Sequence, residues 1–245
     1  MKVSIIILCI DRYHHTKEYV GNAMRDAGHP FDLLIADNGS TNIDILNWQV
    51  EQKPTHLVRH GYNYGTTQAI NHLIALNPSD AYVFLGNDIQ MPQNWLAKMI
   101  EAYKEIPNAG MIGIDWRNMA RRMGKALTQS GYIFTPSDYI FGSTFIPQSA
   151  LDKVGSLCED YGTYGLWDSD FAIRCKLADL QNLYVNNLAS EHKGDDVGEK
   201  SEYRAMKDKS LEIGRPIFKA NVERYQTTKE VFVPNKHIDY GSTKR

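Results

Sequence analysis

The chain has 245 residues, 42% hydrophobic and 23% charged, enough apolar matter for one large domain or two closely joined halves. A formal charge of -2 gives no broad basic surface, so nucleic acid is an unlikely partner, a local patch aside. Cys9, Cys158 and Cys175 are few, odd in number and outside any Cys-x-x-Cys spacing, which excludes a disulfide scaffold or zinc site and fits a reducing compartment.

The first element is Val3 to Leu8, a nearly continuous β-branched run of the kind found in a central parallel strand covered on both faces. The whole run Val3 to Ile10 is too short for a signal h-region or a membrane span, so a soluble, cytoplasmic protein is expected. A helix is predicted over 16–27, ended by Gly28 and Pro30, and then a second strand from Phe31 to Ala36. Asp37 to Asn42 form a dense turn and cap cluster before the next helix. His56 to Arg59 reads as a third strand and Thr66 to Leu76 as a helix. Tyr82 to Leu85 reads as a fourth strand, with a helix beginning near Leu96. This strand–helix alternation predicts an α/β fold on a parallel sheet.

Beyond Ile114 the pattern changes to short aromatic segments, so a boundary is placed near Asp115. A helix follows over 168–180 and a strand over 183–186. The polar stretch 196–245 carries one expected helix near 201–213, stopped by Gly214 and Pro216, and reads as a surface extension. The organisation expected is thus a ligand-binding half at 1–115, a second half at 116–195 and the extension.

The most informative motif is Gly86-Asn87-Asp88, where an apolar strand stops and releases a carboxylate. Open α/β sheets place ligand and metal chemistry at such strand ends. By contrast His56 and His60 fall on an extended segment, where a four-residue separation is about 13 Å, too far to share one ion. Arg117, Arg121, Arg122 and Lys125 form a basic cluster that reads either as solvated surface or as a receiver for an anion.

Taken in order, VSIIILCIDR, LLIADNGSTN, NYGTTQAIN, FLGNDI and YGLWDSDFAIR resemble the successive motifs of the family 2 glycosyltransferases of the GT-A fold, over roughly residues 1 to 195. The resemblance implies a Rossmann-like, mostly parallel central sheet with helices on both faces and a smaller acceptor-side subdomain. It also implies inverting transfer of a sugar from a nucleoside diphosphate (UDP, GDP or dTDP type) to an acceptor hydroxyl, with Mn2+ or Mg2+. The acceptor is open: a glycan, a natural product, a protein side chain or a nucleobase.

On that resemblance Cys9, Ile10, Asp11 and Arg12 at the end of strand one, and Asp37 and Asn38 at the end of strand two, contact the donor nucleotide. For Asp37 and Asn38 a plain structural turn is the competing reading. Gly65 lets the backbone approach the nucleotide and Asn71 faces it from the helix, against the alternative of a capped helix start. Asn87 joins this donor-binding set. Asp88 is the expected metal ligand, with His192 a second, although Gly86 stands where the family's first carboxylate is expected.

Asp168 is the expected general base, and Trp167, in place of an acidic residue, touches a sugar. Asp168 is equally suited to cap the helix that follows. Asp170 and Arg174, four apart, pair for a structural or diphosphate-side purpose. The missing carboxylate at Gly86 also allows a non-catalytic nucleotide-sugar-binding protein. A nucleotidyltransferase or a dehydrogenase is disfavoured because Leu8 to Arg12 holds no glycine for a phosphate loop.

Overall fold

The computed structural model describes residues 1–106, 108–115, 127–129, 132–140, 142–192 and 202–238. Strands β1 (Val3–Cys9), β2 (Asp32–Asn38), β3 (His56–His60) and β4 (Ala81–Phe84) pair in parallel in the order β3-β2-β1-β4. They are linked by α1, by α2 (Ile43–Glu51) and by α3 (Thr66–Leu76). Helix α1 runs through Tyr13–His15, a π-helical stretch Thr16–Val20, and Gly21–Arg25. Strand β5 (Ile89–Gln90) and helix α4 (Trp95–Glu105) lead into β6 (Ala109–Asp115).

The rest of the sheet is built from β7 (Leu127–Gln129), β8 (Tyr132–Pro136), β9 (Thr144–Pro147) and β10 (Gln181–Ala189), giving the nine-stranded order β3-β2-β1-β4-β9-β6-β10-β8-β7. Within this sheet β8 and β9 run against the other strands. Helices α5 (Gln148–Val154) and α6 (Trp167–Leu177) separate β9 from β10. A small strand, β11 (Glu191–His192), pairs antiparallel with β5, with His192 opposite Ile89.

The two-residue period of the strands divides the core into two layers. Ile5, Ile7 and Cys9 of β1 face Trp48, Trp95 and Met99 on one side of the sheet. Ile6, with Leu34, Tyr82 and Phe84, packs against Ile70 and Leu73 of α3 and Phe171 and Cys175 of α6 on the other. Because both faces are covered, β1 can be apolar almost throughout, and the three cysteines are free and buried.

The C-terminal part departs from the sequence expectation. Helix α7 (Glu202–Thr228) is 27 residues long and passes through both Gly214 and Pro216. A proline inside a helix costs about 3 kcal/mol, so the contacts made by the continuing helix outweigh it. Gly214 marks where: a Cβ there would lie 2.9 Å from the Tyr161 carbonyl oxygen, so glycine lets α7 press onto the 161–166 loop. Tyr225, two turns beyond Pro216, is fully buried.

The chain then returns along α5. Val233 bridges to Gly155, the Ser156 amide donates to the Val233 carbonyl at 2.7 Å, and Asn235 donates to the Asn71 carbonyl at 3.0 Å. No helix among the described residues is long and apolar enough to cross a membrane.

Candidate active site

From β1 the chain moves through β2 to β3 in one direction and then returns to β4 on the other side of β1. This reversal opens a crevice outside the carboxyl ends of β1 and β4, where an open α/β sheet binds ligands. A cavity of about 540 Å³ lies there. Cys9 and Ile10 at the end of β1, Asn38 at the end of β2, and Gly86, Asn87 and Asp88 beyond β4 line it. Trp167 and Asp168 at the start of α6 line it too.

The start of α6 is a strained launch point. Gly165 has φ 86° and Leu166 has φ 64°, and a left-handed leucine costs about 1–3 kcal/mol, held by surrounding structure. The helix begins at Trp167 and its N-cap is Leu166, which makes no side-chain cap bond. Asp168 therefore lies in the first turn and is not the cap. Its Oδ1 accepts from the Ser169 amide at 2.8 Å, and burial pushes its carboxyl up to about 6, against the lowering effect of the Ser169 hydrogen bonds. Trp167 meets Phe84 edge-on, with centroids 5.3 Å apart.

Asp88 also lines the cavity, with the Arg12 guanidinium 3.9 Å away. Gly86 is packed closely: a Cβ would lie 2.9 Å from the Ile89 Cδ1. The pairing of β11 with β5 carries the backbone of His192 to within one residue of Asp88 in register. Among the described residues no group of three His, Cys, Asp or Glu could hold a metal ion. One carboxylate still suits Mg2+ or Mn2+ where substrate phosphates complete the shell, since such ions are held by one or two carboxylates together with phosphate oxygens.

The profile of glycosyl transferase family 2 matches residues 4–150. The chain belongs to that family. Its solved structural neighbours are GT-A glycosyltransferases. The mannosyltransferase PcManGT from Pyrobaculum calidifontis, in complex with GDP-Man and Mn2+, is similar at TM-score 0.65 and 16% identity, covering 84% of this chain and 59% of that one. GalNAc-T7 with UDP, GalNAc and Mn2+ is similar at TM-score 0.61 and 12% identity, over 78% of this chain and 44% of that one. S. aureus TarS 1-349 is similar at TM-score 0.59 and 14% identity, over 93% and 73%. Among curated proteins, the uncharacterized protein y4gI of Sinorhizobium fredii (strain NBRC 101917 / NGR234) is 21% identical over 90% of this chain. The chain spans 29% of that relative's length.

Within this family 2 fold, several residues expected at the donor make hydrogen bonds within the protein. Asp11, at φ 48°, accepts from the Thr41 and Asn42 amides at 2.9 Å each and so fixes the turn after β2. Asp37 is 2% exposed; its Oδ1 accepts from Gly39 and Ser40 and its Oδ2 from Gln49 at 2.5 Å. Asn71 is fully buried and clamps the 157–159 loop, donating to the Leu157 carbonyl and Glu159 and accepting from the Leu157 amide. Gly65 stays outside the cavity wall, with φ 105° and its carbonyl accepting from Asn38. These four residues stand behind the cavity lining, and Asp11 and Asp37 satisfy the backbone of the neighbouring turn.

Asn38 keeps its place. It is 5% exposed, and its Oδ1 has no hydrogen-bond partner among the described residues, which leaves a buried acceptor in the cavity wall. Asp170 and Arg174 pair at 2.7 Å, both fully buried, and Arg174 also donates to the Val154 and Ser156 carbonyls. Their purpose is structural. The basic cluster Arg117, Arg121, Arg122 and Lys125 lies outside the described residues.

Arg204, Met206, Lys207 and Leu211 of α7 form a further wall of the cavity, in a stretch the sequence reading took for surface extension. The signal for them is the stripe Met206, Ser210, Gly214, each four apart along an otherwise charged helix.

Proposed function

We propose that the protein is an inverting glycosyltransferase, moving a sugar from a nucleoside diphosphate to an acceptor hydroxyl with Asp168 as general base. The observation that carries this reading is that Asp88 and Asp168, from distant parts of the chain, line one cavity at the carboxyl edge of the sheet. The two Mn2+-containing GT-A neighbours support a divalent cation, and GDP-Man and UDP in them support a nucleotide donor.

Residues 1–115 form the donor half. The nucleotide lies across the ends of β1 and β2, where Asn38 Oδ1 accepts a hydrogen bond from base or ribose and Asp11 and Asp37 keep the surrounding turn in shape. Asp88, with His192, holds the cation, which when bound offsets the charge that develops on the departing diphosphate. Residues 116–195 form the acceptor half. Trp167 supplies a flat apolar surface for a sugar ring, and Asp168 takes the hydroxyl proton as that oxygen attacks the anomeric carbon. A carboxyl titrating near 6 is well poised for this: it is largely ionised at neutral pH yet more basic than an ordinary aspartate.

A non-catalytic sugar-nucleotide binder is the second reading, favoured by Gly86 and by the Arg12 guanidinium beside Asp88. One experiment separates the two. Nucleoside diphosphate release from UDP, GDP and dTDP sugars is measured with Mn2+ across a range of acceptors and pH. The enzyme reading expects turnover whose acid limb falls near pH 6, lost with Asp88→Ala and reduced about 10²–10⁴-fold with Asp168→Asn. Saturable nucleotide binding without turnover in any combination would favour the binder instead.

A further inference from the structure

The cavity has two walls of opposite character. The sheet edge and α6 contribute Asp88 and Asp168, whereas α7 contributes Arg204 and Lys207, one helical turn apart and so on one face. From this placement we propose that Lys207, assisted by Arg204, is a subsite for phosphoryl oxygens within the cavity, so that α7 is part of the binding machinery. The proposal rests on the glycosyltransferase reading for its chemistry but is tested apart from it.

The lysine is positioned with care. It is 7% exposed, and its ammonium stands over the Tyr164 ring, 4.8 Å from the centroid. Tyr164 is fixed in turn by Ser210, which lies one turn beyond Lys207: the Tyr164 amide donates to the Ser210 hydroxyl at 2.9 Å, and that hydroxyl donates to the Tyr164 carbonyl at 3.1 Å. Ring and ammonium are thus tied to the same stretch of helix. Met206 adds a second tie, its sulfur accepting from Asn63 at 3.6 Å and from Thr163 at 3.8 Å. Arg204 is steadied by its pair with Asp208 at 3.0 Å.

A lysine used only for packing keeps its charged head in water and buries its stem. Lys207 as a whole residue is low in exposure and sets its ammonium over the Tyr164 ring in the cavity wall, where attraction to an incoming anion is stronger than in open water. Sugar transfer places such an anion in this cavity. As the bond between the anomeric carbon and the diphosphate oxygen breaks, that oxygen keeps the electron pair and the diphosphate gains negative charge. A cation fixed in advance stabilises it without reorganisation. With a single carboxylate in the Gly86-Asn87-Asp88 motif, an additional cation lining the same cavity is the complement the leaving group needs. A phosphate carried by the acceptor has the same chemistry and is the alternative source.

The test uses the full chain and inorganic probes. Pyrophosphate, phosphate, UDP and GDP, with uridine and guanosine as uncharged controls, are titrated calorimetrically into wild type, Lys207→Met, Lys207→Arg and Arg204→Gln, with melting temperatures to confirm folding. For a donor subsite, pyrophosphate competes with the nucleoside diphosphate, and Lys207→Met weakens both at least tenfold. Nucleoside binding is unchanged, Lys207→Arg recovers most of the loss, and Arg204→Gln, a surface-side variant that spares the core, gives a smaller loss. For an acceptor subsite, phosphate binds alongside the nucleoside diphosphate and only that second binding is lost. Equal phosphate and pyrophosphate binding by wild type and both neutral variants, or none by wild type, overturns the proposal. Wild type that binds pyrophosphate but no nucleotide would overturn the donor reading while leaving the subsite standing.

Discussion

Asp168, the proposed base, carries an electrostatic cost. In the folded chain its carboxyl is pushed up to about 6 from the ordinary 3.8, so between those values the folded state holds a proton that the unfolded chain has released. Stability therefore falls as pH rises through that window, and the whole penalty is in place above about pH 6. Asp168→Asn should raise the melting temperature at about pH 8, with the difference shrinking toward pH 4; thermal melts across that range check it, and a variant less stable at pH 8 would contradict it. That Asp88 and Asp168 lie at one cavity was legible from sequence because each belongs to a recognisable motif. The contacts of Asp37 and Asn71 were not, because a carboxylate at a strand end or an amide on a helix serves a ligand or a neighbouring loop with the same residue type. Only coordinates show which amides stand within reach: Gly39 and Ser40 for Asp37, Leu157 for Asn71.

At the scale of elements, α6 is held in place from beneath. Asp170 accepts from Tyr161 at 2.6 Å and from Arg174 at 2.7 Å, while Arg174 reaches the end of α5 through the Val154 carbonyl. Removing one member leaves the other charge buried without compensation, which costs about 3–5 kcal/mol. Asp170→Asn should thus lower the unfolding free energy read from denaturant melts by that order and weaken the proposed turnover by misplacing Asp168, two residues away. Unchanged stability would show that the pair is dispensable. Strands and helices up to Asp115 follow their patterns within a few residues, since apolar runs on a doubly covered sheet leave little choice. Helix α7 does not, because Gly214 and Pro216 are local stop signals and the forces overriding them come from the 161–166 loop, distant in sequence.

For the whole molecule, the chain's return along α5 is pinned at a cluster of imidazoles. His237 stacks on His72 at 5.1 Å, His60 stacks on Tyr64 at 4.3 Å, and His60 and His72 are 6.1 Å apart. Around them stand Glu159, 3.3 Å from His237, and Lys236, with Asp37 near His60. Burial first, and neighbouring imidazoles second, hold His60 and His72 below their ordinary 6.5, so the docked state favours them neutral. As pH falls through 6.5 the released chain takes up protons more readily, and docking weakens. Corrected for the intrinsic pH dependence of amide exchange, protection of residues 229–238 should therefore fall between about pH 7 and 5, and His72→Gln should flatten that dependence; protection factors insensitive to pH in the wild type would refute the account.

The wall supplied by α7 also sets an order of events during translation. Domains form from the N-terminal side as the ribosome delivers them. Every strand of the large sheet precedes residue 202, so the nascent chain displays Asp88 and Asp168 before Lys207 exists to face them. The cavity is complete only once α7 has been made, and a ribosome stalled short of it exposes a cleft lacking the basic wall of Arg204 and Lys207.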